Sequence, residues 1–334
     1  MGAMRVLPMQ ENAFSRVCIG RAWGSAGRAF TGAISSIVFL LGLFCGGQSL
    51  GAELSNPHTR GIDEGLASGA LPPTGTYFVL NNHWSSYDVY DSAGAKTGIA
   101  VDTMMEVPFI LWVPGVKLFG ADYALGIGQP FDYINLKLPG GAGPSSYGHW
   151  GLANTIFKPA MLSWSLPEHF HLLLGLTVYV DDASSSPAHP PPGGGVGSGN
   201  AFWTLQPDLA LSWLHDGWNL SLNAHYAYNF EDGTTQYKTG TVLAVDYTVT
   251  KAIGNWTVGL GAHQENQLTR DSGPGALAAG CAARKGCKLT NFGIGPLLGY
   301  RFGYVEILGA YNRDLLGENG AAGDLFNLRL VTPL

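Results

Sequence analysis

Between Ala201 and Phe230, apolar and polar residues alternate with a period of two along two arms. Trp203, Leu205, Pro207, Leu209, Leu211 and Trp213 share one parity, and Thr204, Gln206, Asp208, Ala210 and Ser212 the other. After His215-Asp216-Gly217 the rhythm resumes, with Trp218, Leu220, Leu222, Ala224, Tyr226, Tyr228 and Phe230 set against Asn219, Ser221, Asn223, His225, Ala227 and Asn229. Successive side chains on a strand point to opposite faces, so this pattern predicts a hairpin turning at Asp216-Gly217. Aromatic residues stand near both ends of the apolar stripe, while the other face is small and polar. A transmembrane β-barrel has this signature: a lipid-facing band between aromatic girdles, around a polar interior. A soluble β-sandwich or barrel is the competing reading.

Ten further segments carry the same period, at 76–90, 99–113, 119–131, 150–164, 170–180, 241–251, 256–267, 289–302, 304–313 and 325–334. In the second of these, Val101, Met105, Val107, Phe109 and Leu111 are expected outward, with Asp102 and Glu106 inward. Pro159 interrupts the fourth and makes a bulge plausible there. Twelve strands result, an even number. The connections after strands two, four, six, eight and ten are short. Those after three, five, seven and nine are longer, including the Pro/Gly/Ser-rich stretch 183–200. Outer-membrane barrels sort their loops by parity in this way, with short periplasmic turns and long outer loops. A soluble sandwich has no reason to. The expected fold is therefore an all-β, antiparallel up-and-down transmembrane barrel over residues 75–334.

Composition agrees. Charged residues make up 13% of the chain and there are 48 glycines; typical soluble domains carry roughly 25% charged residues and about half that share of Gly. The N-terminus reads as an export signal over 1–52, with Arg5, Arg16, Arg21 and Arg28 before the apolar stretch Ile34–Phe44 and cleavage expected after Ala52. A retained membrane anchor is the other reading. Cys45 is a poor lipoprotein site because bulky Phe44 precedes it. Residues 53–74 form a Gly-rich segment, either a plug or periplasmic tether or a frayed terminus, with one or two helical turns expected near 62–70. Removing residues 1–52 makes an already acidic chain (net charge −6) more acidic, which argues against nucleic-acid binding. Cys281 and Cys287 then remain, spaced for a small disulfide loop in an oxidising compartment.

Several segments together resemble the meta-pathway phenol-degradation family of outer-membrane transporters. They are GIDEGLASGALPPTGTYFV at 61–79, HWGLANTIFKPAMLSWSL at 149–166 with the FHLLLGLTVYV strand after it, and the LFNLRLVTPL terminus. The matching positions include Pro72, Gly75, Tyr77, Pro159 and Trp164; Asn154 stands where the family pattern expects Asp. The resemblance implies an outer-membrane barrel that passes hydrophobic or aromatic compounds, with no catalytic residues.

By strand parity the inward ionisable groups are Asp102, Glu106, Asp122, His171, Asp208, His225, Asp246, His263, Glu265, Arg301, Glu306 and Arg329. Lining charges set which solutes enter a lumen, and the carboxylate excess should disfavour anions. The same groups would equally serve to bridge and fill a narrow interior. His169-x-His171 has no evident third ligand, Gly293-x-Gly295 lies in a strand rather than opening a helix, and no Gly-x-Ser-x-Gly elbow is present. No metal or cofactor is expected. The expected partners are outer-membrane lipid, small hydrophobic or aromatic solutes and the barrel-assembly machinery, although the chain ends on Leu334 rather than on the aromatic common in such barrels. The leading expectation is a passive outer-membrane channel for such solutes. The alternatives are a lipid hydrolase or acyltransferase with a Ser–His site at the barrel rim, and a closed structural or adhesion barrel.

Overall fold

A computed structural model describes residues 56–140 and 146–334, so the export-signal reading lies outside the described residues. The strands are β1 (Gly75–Tyr90), β2 (Lys96–Val113), β3 (Lys117–Leu118), β4 (Ala121–Gly128), β5 (Phe131–Lys137), β6 (Ser146–Leu152), β7 (Ile156–Ser165) and β8 (Phe170–Tyr179). They continue with β9 (Thr204–His215), β10 (Trp218–Asn229), β11 (Val242–Ile253), β12 (Trp256–Gln267), β13 (Thr290–Phe302), β14 (Val305–Glu318) and β15 (Gly320–Pro333). All pair antiparallel, and β1 closes the ring by pairing with both β2 and β15.

Two wall strands are broken in mid-course. The β2 strand pairs with β5 through Ala100–Glu106 and with β4 through Phe109–Trp112, so β4 and β5 are halves of one strand. Pro130 has no N–H to give the ladder, and the Gln129 side chain patches the break by donating to the carbonyls of Ala153 (2.8 Å) and Pro130 (3.2 Å). The β6 and β7 strands are likewise halves of one strand, and the register slips between Phe157 and Ala160, at Pro159. Twelve strands therefore form the wall, as the alternation predicts.

The break leaves a seam. Among the described residues the β6 strand pairs only with β5, while β8 runs beside β7 and ends at Tyr179. The loop 181–200 covers the gap. Ser184 N–H donates to Leu152 O (2.9 Å), and Leu152 N–H donates back to Ser184 Oγ (2.8 Å). Asn154 sits at the break. Its amide donates to the carbonyls of Val180 (2.6 Å) and Asn200 (2.9 Å), and its Oδ1 accepts from Asn200 N–H (2.8 Å). Within the same loop, burial and the charges of Asp232 and Asp182 hold the Asp181 carboxyl above its ordinary range.

The apolar parity of the central hairpin faces outward. Leu205, Leu209, Leu211, Leu220, Leu222, Val249 and Leu260 are all exposed, with Trp203, Trp218, Trp256 and Tyr228 among the exposed aromatics. Ser212, Gln206, Asp208 and His225, on the other parity, are buried. An apolar belt of this extent is a lipid interface. Leu209→Arg, in the middle of β9, is expected to destabilise the barrel by about 2–4 kcal/mol. Reversible unfolding in lipid vesicles measures this; a negligible change would contradict lipid contact there.

One strand runs in the opposite phase. In β2, Val101, Thr103 and Met105 line an internal cavity, and Val107 is 1% exposed. Alternation then turns Asp102 and Glu106 to the outer face, where Asp102 accepts from Ser86 Oγ (2.9 Å) and pairs with Lys137. This reverses the expectation for that strand. The physical reason is that β2 turns apolar Val101, Met105 and Val107 into the lumen between His83 of β1 and Asp132 of β5, so the polarity of this strand's own residues no longer tells inside from outside.

Over the barrel's outer end, the 269–288 loop carries helix α1 (Gly273–Ala278). A Cys281–Cys287 disulfide packs there with Tyr237, Ala276 and Ala279.

Candidate functional site

The lumen is filled from below by the segment 56–73. Successive turns (Glu64 N–H to Gly61 O, Leu66 N–H to Asp63 O) replace the expected helical turns. At its lower end, Leu71 packs against Val113, Ala124, Met161, Leu173 and Ala210, an apolar layer across the periplasmic mouth. Gly69 lies against the wall: its N–H donates to Ser212 Oγ (2.8 Å) and its carbonyl accepts from Ser163 Oγ (2.7 Å). A Cβ there would stand 2.4 Å from His171 O and 2.7 Å from Ser212 N, so this approach requires glycine. The chain then leaves through Pro72-Pro73 to Gly75 at the start of β1, where Tyr77 OH donates to Pro73 O (2.8 Å).

Above that layer, charged and polar wall groups grip the segment. Arg329, fully buried on β15, donates to the carbonyls of Glu64 (2.8 Å) and Ile62 and to Asn81 Oδ1 (2.8 Å). Asp246 accepts the N–H groups of Gly61 (3.1 Å) and Asp63 (3.0 Å). Glu64 accepts from Asn312 Nδ2 (2.6 Å) and meets His263 Nδ1 at 3.3 Å, while His263 Nε2 lies 2.8 Å from Asp314 Oδ1. Arg60 pairs with Glu265 and donates to Ala321 O (2.7 Å). His225 Nδ1 meets Asp208 Oδ1 at 2.7 Å, and Asp208 Oδ2 accepts from Thr177 Oγ1 (2.5 Å) and Lys158 Nζ (3.5 Å). Each interaction in this belt satisfies a group that would be costly to bury alone.

The structure thus gathers Asp208, His225, Asp246, His263, Glu265 and Arg329 around one segment. Other groups on the expected inward list sit at the ends or outside. Asp122 pairs with Lys117 (2.8 Å) and His171 lies 3.4 Å from Ser165 Oγ, both at the short-turn end. Arg301 and Glu306 pair with each other (3.2 Å) across the β13–β14 turn. Asp102 and Glu106 face away from the lumen. The Trp164 indole donates to Phe119 O (3.0 Å).

Sequence reasoning missed Lys158, Asp132, Asp314, His83 and the plug's His58, Arg60, Asp63 and Glu64. Lys158 lies at the β7 register slip and Asp314 next to another, between Phe292 and Gly293 of β13. A slip breaks the odd–even count. The plug has no period to read.

Over the plug lies a cavity of about 210 Å³. Its apolar wall includes Val101, Met105, Ile134, Ile156, Tyr179 and Leu325, and its roof is the seam loop at Val196–Asn200. Asp132, on β5, is fully buried in this wall beside Ser198, and the His83 imidazole is buried with neither nitrogen hydrogen-bonded to a described residue. Ser198 Oγ and Ser185 Oγ also lie 3.2 and 3.4 Å from His149 Nε2, while His149 Nδ1 is buried without a hydrogen bond to any described residue.

A closed barrel with a lipid-facing belt and a plugged lumen defines an outer-membrane β-barrel protein. The family model for the MetA-pathway of phenol degradation matches residues 75–330, and the chain belongs to that family. Among solved structures, the COG4313 outer membrane channel from Pseudomonas putida F1 is similar at 15% identity with a TM-score of 0.64, covering 79% of this chain and 97% of that one. The β domain of the Bordetella autotransporter BrkA is 12% identical with a TM-score of 0.44, covering 78% and 100%. None of the curated proteins matches.

Proposed function

We propose that this barrel is a passive outer-membrane channel for small hydrophobic, in particular aromatic, compounds. The carrying observation is the cavity above the plug. Ligand sites are mostly apolar hollows with a few placed polar groups, and here apolar side chains of β2, β5, β7, β8 and β15 face a polar side made by Asp132, His83, Asn154 and the plug's Asn56 and Arg60, the last paired with Glu265. A dry cavity of about 150 Å³ already accepts benzene in another protein, so this volume suits a single aromatic ring. The inverted phase of β2 supports the same reading, because it spends the strand's apolar side chains on the lumen. Family membership adds the association with phenol degradation.

Proteoliposome flux tests this. Phenol and toluene are expected to cross faster through the reconstituted protein than glucose does, relative to empty vesicles. Aromatic flux equal to that of empty vesicles would overturn the reading.

One observation favours a hydrolase, the approach of Ser198 to His149. A serine nucleophile needs a base that is itself oriented by a third group, and none of the described residues bonds His149 Nδ1. The purified protein is therefore expected to leave short-chain nitrophenyl esters intact. Ester cleavage abolished by Ser198→Ala would favour the enzyme.

A further inference from the structure

His58 on the plug, His225 on β10 and Asp246 on β11 each bring one ligand-type atom into a buried cluster, all within 4.8 Å of one another. Three features set this cluster apart from the ion pairs around it. First, His58 Nε2 is buried with no hydrogen-bond partner among the described residues, which normally costs free energy. Second, His225 is held from behind: its Nδ1 meets Asp208 Oδ1 at 2.7 Å, and Asp208 is fixed in turn by Thr177, Gln206 and Lys158. A carboxylate behind an imidazole is the outer-shell arrangement that aims the other ring nitrogen at a metal. Third, the His58 and His225 rings stack at 4.0 Å. Two imidazolium rings at that distance in a buried site would repel, so at least one ring stays neutral and offers a lone pair. A second carboxylate is at hand, with Asp63 Oδ2 3.2 Å from His225 Nε2.

We propose that His58, His225 and Asp246, with Asp63, bind one divalent transition-metal ion of the zinc class. Two imidazoles and two carboxylates suit zinc, while calcium and magnesium prefer all-oxygen shells. The ion would neutralise part of a carboxylate-rich layer. Two of its ligands come from the plug and two from the wall, so it would clip the plug in place. Metal supply would then govern how readily the lumen opens.

The test uses the full-length protein, folded in detergent, stripped with chelator and passed through gel filtration after exposure to zinc. Metal content by atomic emission is expected to show one zinc per barrel. His58→Gln should abolish retention; this residue is on the plug, so the wall strands keep their own ladder. Asp208→Asn should weaken zinc by about 10–100-fold. His169 and His215, stacked at 4.3 Å at the short-turn end, form the control pair. Their Gln variants should bind zinc as wild type does. Cobalt(II) should give the intense visible absorption of a four-coordinate site, absent in His58→Gln. No retained zinc, equal retention by His58→Gln, or loss only in the His169/His215 variants would each overturn the proposal. The readout is metal content, so a failed aromatic-flux assay leaves it standing.

Discussion

Deletion of residues 56–73 is expected to raise single-channel conductance several-fold and to turn a quiet trace into a steadily open one. The segment fills the lumen twice over. Leu71 completes an apolar layer with Val113, Met161 and Leu173 that excludes water from the periplasmic mouth. Higher up, Arg60, Asp63 and Glu64 occupy the space between wall strands and pair with Glu265, Asn223 and Asn312. The wall does not need the plug to close, since β1 and β15 pair from Tyr77↔Pro333 to Tyr90↔Gly320 without it. The truncated barrel should therefore still fold, and both it and the wild type should run faster unheated than boiled on denaturing gels. Gly69→Val probes the same point more gently. Its new side chain would meet backbone atoms of β8 and β9 that cannot swing aside, so conductance should rise, though less than after deletion. Planar-bilayer recording measures both, and unchanged conductance in the deletion would show that ions pass by a route the plug does not block.

Arg329→Leu is expected to loosen the plug by about 3 kcal/mol or more, because buried acceptors left without a donor cost roughly 1–3 kcal/mol each. The guanidinium is 1% exposed and serves three acceptors: the carbonyls of Ile62 and Glu64 and the Asn81 side chain. Leucine fills part of the space but leaves all three dry and unbonded. The loss falls on the plug more than on the β14–β15 ladder, whose backbone pairing is unchanged. Trypsin reports the difference. Arg60, which is 14% exposed at its side chain, should become a cleavage site in Arg329→Leu while remaining protected in wild type. Equal protection in both would show that Arg329 does not hold the segment.

The wall was largely legible from sequence, because lipid outside and polar lumen inside impose opposite chemistry on alternate residues. Asp208, His225, Asp246, His263, Glu265 and Arg329 could be assigned inward for that reason. The rule fails where its premise fails. The β2 strand turns its apolar side chains into the lumen, so its alternation assigns Asp102 and Glu106 to the wrong face. Beside Lys158 and Asp314 a register slip shifts the count. Asp132 lies just after Pro130, where the strand is broken. The plug residues obey neither lipid nor pleat, and their partners are fixed only by folding: Arg60 and Glu265, for example, are 205 residues apart. The cavity and the His58–His225–Asp246 cluster are made of such encounters.

The seam above Tyr179 has a kinetic consequence. Elsewhere each wall strand is zipped to its neighbours along most of its length, whereas here side chains from a Gly- and Pro-rich loop stand in for a neighbouring ladder. Stability in proteins is distributed unevenly and the least-bonded element opens first. Amide protons of β6 should thus trade for deuterium sooner than those of β10 or β11. Because the cavity's roof is that same loop, each such excursion would briefly expose its contents sideways to the surrounding acyl chains.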